Sequence, residues 1–332
     1  MDRTAVATMR AIVRDTYGEA DDVVRLDEVD RPEIGADEVL VQVRAAGVDR
    51  GVWHVMAGLP YPIRLAGYGF RAPENRVLGG DVAGIVEAVG ANVTTLHPGD
   101  EVFGIATGSF AEYARARADK LAPKPANLTF EQAAAVPVSG LTALQGVRDK
   151  GRVGPGQQVL VIGASGGVGT FAVQIAKAFG AEVTGVSSTA KVDVVRAVGA
   201  DHVIDYTTSD LTDGGRRYDV IIDIGGNRSL TQLRRALTPR GRLVLTGGET
   251  GGRWLGGTDR LLRALVLSPF VGQELRSFIC SENSKDLLVL TELIESGQVT
   301  PFVDRAYPLS EAAAAIHRVH AGQARGKVVV TV

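Results

Sequence analysis

The stretch VLVIGASGGVGTFAVQIAKAFGAEVTGVSSTAK, residues 159–191, decides the fold of this chain. It begins as an apolar strand, runs into a glycine cluster, continues as an amphipathic helix that Gly180 ends, and closes with a second strand. A strand, a glycine-rich turn and a helix in this order are typical of a βαβ unit that binds a dinucleotide. The stretch therefore predicts a nucleotide-binding domain built on a parallel sheet.

The same alternation of strands and helices fills residues 136–268. Beyond the opening unit, strands are predicted at HVIDY, YDVIIDIGG and RLVLTGG, and helices at KVDVVRAVGA and RSLTQLRRALTPRG. Alternation of this kind indicates a doubly wound parallel sheet, the Rossmann arrangement.

Residues 1–135 have a different pattern. Short strands follow one another with little helix, as in EVLVQVRAAGV, where Val39 and Val41 share one face, and this predicts a barrel or sandwich. Residues 269–332 mix helices with a closing strand, GKVVVTV, which we expect to return to the first domain. The predicted fold class is α/β, with a doubly wound domain of residues 136–268 inserted into a β-rich domain of residues 1–135 plus 269–332.

The composition excludes several classes of protein. The 332 residues carry a formal net charge of −2, so the chain lacks the basic surface with which proteins bind nucleic acid or anionic membranes. No apolar run is long enough to span a membrane, and Met1–Arg14 lacks the apolar core of a signal peptide. A single cysteine, Cys280, rules out an internal disulfide. We therefore expect a cytoplasmic protein that acts on a small molecule.

The glycine cluster matches the dinucleotide fingerprint G-x-G-x-x-G at its second and third glycines. Ala164, Gly166 and Gly169 hold the three positions, so the first is alanine. The cluster lets the backbone approach a pyrophosphate, and the helix that follows presents free N–H groups to it. Gly169 permits close packing of helix on strand. The alternative, a glycine-rich turn that binds nothing, leaves the surrounding alternation of strands and helices unexplained.

The end of the second strand bears on the choice of cofactor. An NAD site usually places Asp or Glu there, against the ribose 2′-hydroxyl. This chain has GVSSTAK instead, and Ser187 and Lys191 can donate hydrogen bonds to the 2′-phosphate of NADPH. We predict NADPH in preference to NADH. Asp193 lies nearby, but two residues into the next helix it can face solvent. The alternative is that Lys191 is a solvated lysine at a helix start.

A second motif overlaps the same loop. Gly163, Ser165 and Gly167 match the G-x-S-x-G elbow of hydrolases, which also needs an acid and a histidine downstream. His202 and two later histidines follow, but the dinucleotide fingerprint accounts for the loop and its surroundings together.

Seven stretches resemble those of one enzyme family in their order and spacing. They are VLGGDVAGIVEAVG, GDEVFG, GSFAEYA, AAAVPVSGLTAL, GASGGVG, VGADHVIDY and ARGKVVVTV. Over nearly its whole length the chain resembles the zinc-independent medium-chain dehydrogenase/reductases of the quinone oxidoreductase group, which are similar to zeta-crystallin. The resemblance implies a GroES-like β-barrel domain, an inserted Rossmann domain, a cleft between them and a homodimer.

The resemblance also implies roles for individual residues. Ser187, Lys191 and Tyr206 would surround the 2′-phosphate of NADPH. The other cofactor contacts would be Thr142 near the nicotinamide ribose, Gly166, Gly167, Val168 and Gly169 at the pyrophosphate, Ile224, Gly225, Thr246 and Gly247 at strand ends, and Lys327 near the C-terminus.

Two positions depart from the family's pattern. Asp49 stands where an asparagine usually follows GV, and His54 stands where simple quinone reductases often have tyrosine. These two residues are the candidate catalytic residues, and the departures leave the polarity of the active site and the substrate preference open. His54 is the candidate donor of a hydrogen bond or proton, because imidazole titrates near neutrality. The alternative for His54 is packing in the barrel or exposure at the surface.

Zinc is not expected. The single cysteine excludes the four-cysteine lobe of zinc-dependent relatives, and the positions of a catalytic zinc hold Asp49 and the GGD that ends at Asp81. A site made of Asp49, His54 and Asp81 is conceivable, but Asp81 lies in a glycine-bounded turn and is expected to order the barrel.

Without a metal, the expected reaction is hydride transfer from NADPH to a quinone or to the β-carbon of an α,β-unsaturated carbonyl. Trp53 and Tyr68 are candidates for an aromatic floor under a flat substrate, although both are common packing residues. Two alternatives stay open: an enoyl or 2-alkenal double-bond reductase of a specialised biosynthetic pathway, and a non-catalytic NADPH-binding sensor.

Overall fold

A computed structural model describes residues 7–211, 215–226, 228–247 and 252–332. The chain divides into two compact units. The first, here called the β-domain, consists of the residues up to Val138 together with Glu282–Glu295 and Val303–Val332. The second, the parallel-sheet domain, consists of Ser139–Ser281 and Ser296–Phe302.

The β-domain is built from short strands, as its alternating sequence predicts. Its strands are β1 Thr8–Val13, β2 Arg25–Asp30, β3 Glu38–Val48, β4 Asp81–Val89, β5 Glu101–Ile105, β6 Tyr113–Arg117, β7 Leu121–Pro123, β14 Val303–Pro308 and β15 Lys327–Thr331. Its helices are α1 Ala20–Val23, α2 Arg50–Ala57, α3 Phe130–Ala134, α10 Ser284–Glu295 and α11 Ala312–His320. The helix α4, Pro137–Leu144, contains the boundary between the two units.

One sheet dominates the β-domain. Its strand order is β14-β15-β3-β4-β5-β7, with β6 also paired to β3, while β1 and β2 form a separate antiparallel pair. Val39, Val41 and Val43 of β3 are buried on one face and pack with residues of β4 and β5, as the alternation predicts. The closing strand β15 pairs with β3, so the C-terminal segment returns to the first domain.

The parallel-sheet domain alternates strands with helices. Its strands are β8 Gln158–Ile162, β9 Glu182–Ser187, β10 His202–Asp205, β11 Tyr218–Asp223, β12 Leu237–Leu245 and β13 Glu274–Ser277. Its helices are α5 Gly167–Ala178, α6 Val192–Ala197, α7 Leu230–Ala236, α8 Gly252–Leu255 and α9 Thr258–Leu267.

All neighbouring strands of this sheet run parallel, in the order β10-β9-β8-β11-β12-β13. The order reverses at β8, which pairs with both β9 and β11. This confirms the doubly wound sheet, and the carboxyl ends of the strands next to the reversal are the place where such sheets bind ligands.

The domain boundaries differ from the predicted ones at residues 136–138, 269–281 and 296–302. Residues 269–281 were predicted in the β-rich domain, but their strand β13 pairs in parallel with β12 and buries Leu275 in the core of the parallel sheet. A four-residue strand is too short to show a period, so the sequence gives no signal for it. The helix predicted at RSLTQLRRALTPRG ends at Ala236, because Pro239 does not fit a helix interior.

Asp81 and Lys327 form a buried ion pair inside the β-domain. Their Oδ2 and Nζ atoms are 3.1 Å apart, and the second carboxylate oxygen accepts a hydrogen bond from the Val138 amide at 2.9 Å. Burial and the nearby charge of Asp49 raise the pKa of Asp81 to about 6, despite the lowering effect of Lys327. Asp81 begins strand β4 rather than lying in the predicted turn, and its pair with Lys327 joins β4 to β15. Within the described parts of the chain, no helix has the length and apolar character needed to cross a membrane.

Asp81→Asn should lower the free energy of unfolding by about 3–5 kcal/mol, because it leaves the buried Lys327 ammonium without its anion. Combining it with Lys327→Met should recover most of that loss, since the double variant buries no charge. Urea unfolding followed by circular dichroism measures both. The matched control is Lys120→Gln, which breaks a half-exposed pair with Glu282 and should cost at most about 1 kcal/mol. Equal costs for the buried and half-exposed pairs would contradict the assignment.

Candidate active site

The glycine loop between β8 and α5 has the backbone geometry that a pyrophosphate site needs. Gly163 has a φ of +84°, a left-handed conformation that favours glycine, and Gly166 is the N-cap of α5. A Cβ atom at Gly169 would lie 2.1 Å from the carbonyl oxygen of Gly163. At Gly166 the only atom near such a Cβ is the same oxygen, at 3.4 Å, so this side of the loop is open. The cradle therefore fits a dinucleotide pyrophosphate.

The two strand ends beside the loop are tied to it through the backbone. The amides of Ile224 and Gly225 donate to the carbonyl of Ile162 at 3.1 and 3.3 Å. The amide of Thr246 donates to the carbonyl of Asp223 at 3.1 Å, and a Cβ at Gly247 would lie 3.1 Å from the carbonyl oxygen of Ile224. The predicted strand-end residues thus lie together at the carboxyl edge of the sheet.

The predicted 2′-phosphate residues cluster at the end of β9. Ser187 is buried, and its carbonyl accepts a hydrogen bond from the Tyr206 amide at 3.0 Å. The ring of Tyr206 is half exposed, and Lys191 closes the 3₁₀ turn before α6. Ser187 and Tyr206 are therefore neighbours, and Lys191 follows four residues after Ser187 on the same edge.

An acid that the sequence analysis did not single out lies in this cluster. Asp205, at the end of β10, pairs in register with Ser187. It accepts hydrogen bonds from the hydroxyls of Thr189 at 2.5 Å and Thr207 at 2.7 Å. These bonds lower the pKa of Asp205, which is therefore an anion that orders the turn after β9. Its position near the end of the predicted strand HVIDY was the available signal.

Two further predicted cofactor contacts belong to other elements. Thr142 is half-buried in α4. Lys327 is in the β-domain, where its ammonium is buried against Asp81. The ion pair explains why the Lys327 ammonium is buried. Contact of Thr142 or Lys327 with the cofactor stays a prediction.

The candidate catalytic residues Asp49 and His54 share helix α2. Asp49 is the N-cap of that helix, and its carboxylate accepts a hydrogen bond from the Val52 amide at 3.1 Å. His54 lies one turn later, and its Nδ1 is 2.8 Å from the carbonyl oxygen of Leu59. A carbonyl only accepts, so in the neutral ring Nδ1 carries the proton and Nε2 the lone pair. His54 can therefore donate from Nε2 only as an imidazolium ion.

Two arginines give this side of α2 a positive charge. Arg14 is buried and donates from Nη1 to the carbonyl of Val55 at 2.8 Å, and Arg64 donates from Nε to the carbonyl of Gly58 at 2.9 Å. Their guanidinium carbons lie 5.6 and 4.3 Å from the ring centroid of Tyr17. Burial lowers the pKa of Arg14 to about 10. Neither arginine forms an ion pair with any residue that the structure describes. The ring of Tyr17 is thus the main group that stabilises the positive charges of these two arginines.

The two residues predicted to form an aromatic floor differ in their packing. Trp53 stacks on His320 with ring centroids 4.0 Å apart, and its Nε1 donates to Glu19 at 3.3 Å. The backbone carbonyl of Tyr68 accepts from the Tyr17 hydroxyl at 2.5 Å, and Tyr68 as a whole is 40% exposed. Trp53 is therefore a packing residue, whereas the part of Tyr68 in a substrate floor stays a prediction.

The residues at the zinc positions have other partners in the structure. Asp49 caps helix α2 and Asp81 is paired with Lys327, so two of the three candidate ligands are already engaged. The described residues contain no group of three His, Cys, Asp or Glu side chains that could hold a metal ion. A catalytic zinc needs three such ligands with an open fourth position.

Two family models match the chain. The model described as alcohol dehydrogenase GroES-like domain matches residues 35–126. The model described as zinc-binding dehydrogenase matches residues 198–330.

Similar proteins cover nearly the whole chain. The 2-methylene-furan-3-one reductase of Solanum lycopersicum is 32% identical over 97% of this chain and 79% of its own length. The NADPH-dependent alkenal/one oxidoreductase of the Arabidopsis thaliana chloroplast is also 32% identical, with the same coverage. Among solved structures, the quinone oxidoreductase of Coxiella burnetii superposes with a TM-score of 0.86, at 28% identity over 98% of this chain and all of that one.

Gly169→Ala should weaken NADPH binding at least tenfold and lower the melting temperature, because a methyl group cannot fit against the Gly163 carbonyl without moving α5. Gly154→Ala is the matched control, since open space surrounds Gly154 and its φ is not left-handed. Fluorescence titration with NADPH and thermal unfolding measure the two effects. Unchanged binding by the Gly169 variant would contradict the assigned role of the loop.

Proposed function

This chain belongs to the quinone oxidoreductase group of the medium-chain dehydrogenase/reductase family, and we propose that it reduces α,β-unsaturated carbonyl compounds with NADPH. It is an NAD(P)H-dependent oxidoreductase with a GroES-like domain and a Rossmann-like parallel-sheet domain. Two of the relatives named above are an alkenal/one oxidoreductase and a furanone reductase, which supports an enone as hydride acceptor. The structural likeness to a quinone oxidoreductase supports quinones as a second class of acceptor.

The observation that carries the proposal is the open glycine cradle at the carboxyl edge of the parallel sheet. When bound there, NADPH supplies the hydride from carbon 4 of its nicotinamide. Gly166, Gly167, Val168 and Gly169 hold the pyrophosphate with backbone amides. The strand-end residues Ile224, Gly225, Thr246 and Gly247 orient the nicotinamide half, together with Thr142.

The selection of NADPH over NADH rests on Ser187, Lys191 and Tyr206. The turn that directly follows β9, residues 188–191, contains no acid, so it lacks the carboxylate that usually accepts hydrogen bonds from an unphosphorylated ribose. Lys191 supplies a charge-assisted hydrogen bond to the 2′-phosphate. Asp205 is saturated by Thr189 and Thr207, which keeps its carboxylate engaged with the protein.

The chain's own cations stabilise the acceptor. Hydride addition to the β-carbon of an enone places negative charge on the carbonyl oxygen, and preorganised positive groups favour that charge. Arg14 and Arg64 supply a positive potential beside α2, and the imidazolium form of His54 donates from Nε2. Asp49 is a positioning residue that fixes the start of the helix carrying His54. No zinc is required by this arrangement.

Two further expectations belong to this proposal. A homodimer is supported by the edge position of β13 and by Ile279, a nearly fully exposed apolar side chain two residues beyond it. A cytoplasmic location stays a prediction from the sequence.

The first test follows NADPH absorbance with a 2-alkenal, a cyclic enone and a 1,4-quinone, each repeated with NADH. Turnover of the alkenal and enone with NADPH is the expected result. Turnover of the quinone alone would move the assignment to a quinone reductase. Tight NADPH binding without turnover of any acceptor would contradict the proposal.

Lys191→Ala should raise KM for NADPH about tenfold to a hundredfold and leave KM for NADH within twofold, since one charge-assisted hydrogen bond to the 2′-phosphate is lost. Arg196→Ala is the matched control, because it removes an exposed cation from the next helix, α6. Steady-state kinetics with both cofactors measure the ratio. An unchanged ratio in the Lys191 variant would refute its assignment.

His54→Gln should lower kcat for the enone about 10²- to 10⁴-fold, the usual contribution of a proton-transfer group, and leave the Kd of NADPH unchanged. His317→Gln, on the exposed face of α11, is the control. Equal rates for wild type and the His54 variant would remove His54 from the reaction.

A further inference from the structure

A second cleft lies in the parallel-sheet domain. It is lined by residues of α9 and of the segment that leads into α7, and its volume is about 990 Å³, at the upper end of the range for small-molecule sites. None of the residues predicted to hold the dinucleotide lines it. The cleft is therefore not explained by the cofactor.

One end of the cleft is rich in paired arginines. Arg228, Arg260 and Arg263 all line it. Each has one acidic partner, and the pairs are Arg228 with Asp210 at 3.6 Å, Arg263 with Asp259 at 3.1 Å, and Arg260 with Asp223 in direct contact. The six formal charges balance, so the site tolerates a single added negative charge better than a double one.

Arg260 is the residue that points to a ligand. It is only 8% exposed, and one of its terminal nitrogens, Nη2, is bonded to Asp223. Its Nε and Nη1 atoms have no hydrogen-bond partner among the residues that the structure describes. Buried donors are nearly always satisfied, so an unsatisfied guanidinium nitrogen at the wall of a cleft is a vacant donor for an anion.

The other end of the cleft is apolar and open to solvent. Leu262 and Val266 lie four residues apart on α9 and therefore on one face of the helix, and they are 62% and 69% exposed. Phe270, in the turn after α9, is 82% exposed. Large apolar side chains this exposed, next to a group of arginines, form a surface with one charged and one apolar end.

We propose that this cleft binds an amphiphilic carboxylate, such as a medium-chain fatty acid. The carboxylate accepts a charge-assisted hydrogen bond from Nη1 of Arg260, and the acyl chain lies along Leu262, Val266 and Phe270. A single carboxylate adds one negative charge, which suits the balanced charges of the arginine end better than a phosphate dianion does.

The test is isothermal titration calorimetry of the full chain with octanoate below its micelle concentration, compared with octan-1-ol and acetate. Octanoate should bind with one-to-one stoichiometry, octan-1-ol at least tenfold more weakly, and acetate without saturation. Saturating NADPH should leave the Kd of octanoate within twofold, since no lining residue is shared with the predicted cofactor site. Competition between NADPH and octanoate would overturn the proposal.

Two variants locate the site. Arg260→Lys keeps a cation opposite Asp223 but removes Nη1, and it should raise the Kd of octanoate at least tenfold. Val266→Asp places a carboxylate where the chain should lie, on an exposed position whose change the fold tolerates, and it should have a similar effect. Arg240→Lys, on an exposed part of β12, is the control and should leave the Kd unchanged.

Three results would overturn the proposal. One is equal affinity for octanoate and octan-1-ol, which would mean that the arginines do not recognise the head group. Another is unsaturable binding that neither variant changes. The third is an absence of octanoate binding combined with self-association that Val266→Asp abolishes in sedimentation equilibrium, which would show that a second copy of the chain covers the apolar end.

Discussion

The contact between Gly169 and the carbonyl of Gly163 is the constraint on which the parallel-sheet domain depends. Only a residue without a Cβ atom lets α5 begin this close to the end of β8. Because β8 pairs with both β9 and β11, its carboxyl end is the point from which the strand order runs in two directions. The close approach that packs α5 against the end of β8 also leaves the first turn of α5 facing an open cradle. Packing and the proposed cofactor binding therefore depend on the same glycine.

Local patterns were enough to predict this part of the molecule. The period of the apolar residues changes at Gly163 and again at Gly180, so strand, loop and helix can all be identified within 33 residues. The role of Asp49 was within reach too, because an aspartate directly before a helix is a common N-cap. The short strand β13 was not, since its burial depends on a neighbour, β12, that lies about 30 residues earlier.

Charged residues in the interior could not be predicted from local pattern. Asp81 and Lys327 are 246 positions apart, and each alone resembles a polar residue at a strand end. Lys327 was expected at the cofactor because of its motif, yet its ammonium is buried against Asp81. The pairing of Asp223 could not be predicted either, because its partner Arg260 lies in a helix whose sequence shows only an amphipathic period. Pairing of this kind is decided by the tertiary fold, where an unpaired buried charge is too costly to persist.

The arginines of these two sites have different partners, and the difference bears on chemistry. Every arginine at the cleft of the parallel-sheet domain has an aspartate partner, so that cleft is close to neutral. Arg14 and Arg64 of the β-domain have aromatic and carbonyl partners instead, which spread their charge without cancelling it. A positive charge that is buried but not cancelled interacts strongly with any negative charge that forms nearby. In a metal-dependent carbonyl reduction, the metal ion is the Lewis acid that stabilises this negative charge. Fixed guanidinium groups with a protonated histidine can provide the same stabilisation from side chains alone. This is consistent with a candidate active site in which Asp49 caps a helix and Asp81 forms an internal ion pair.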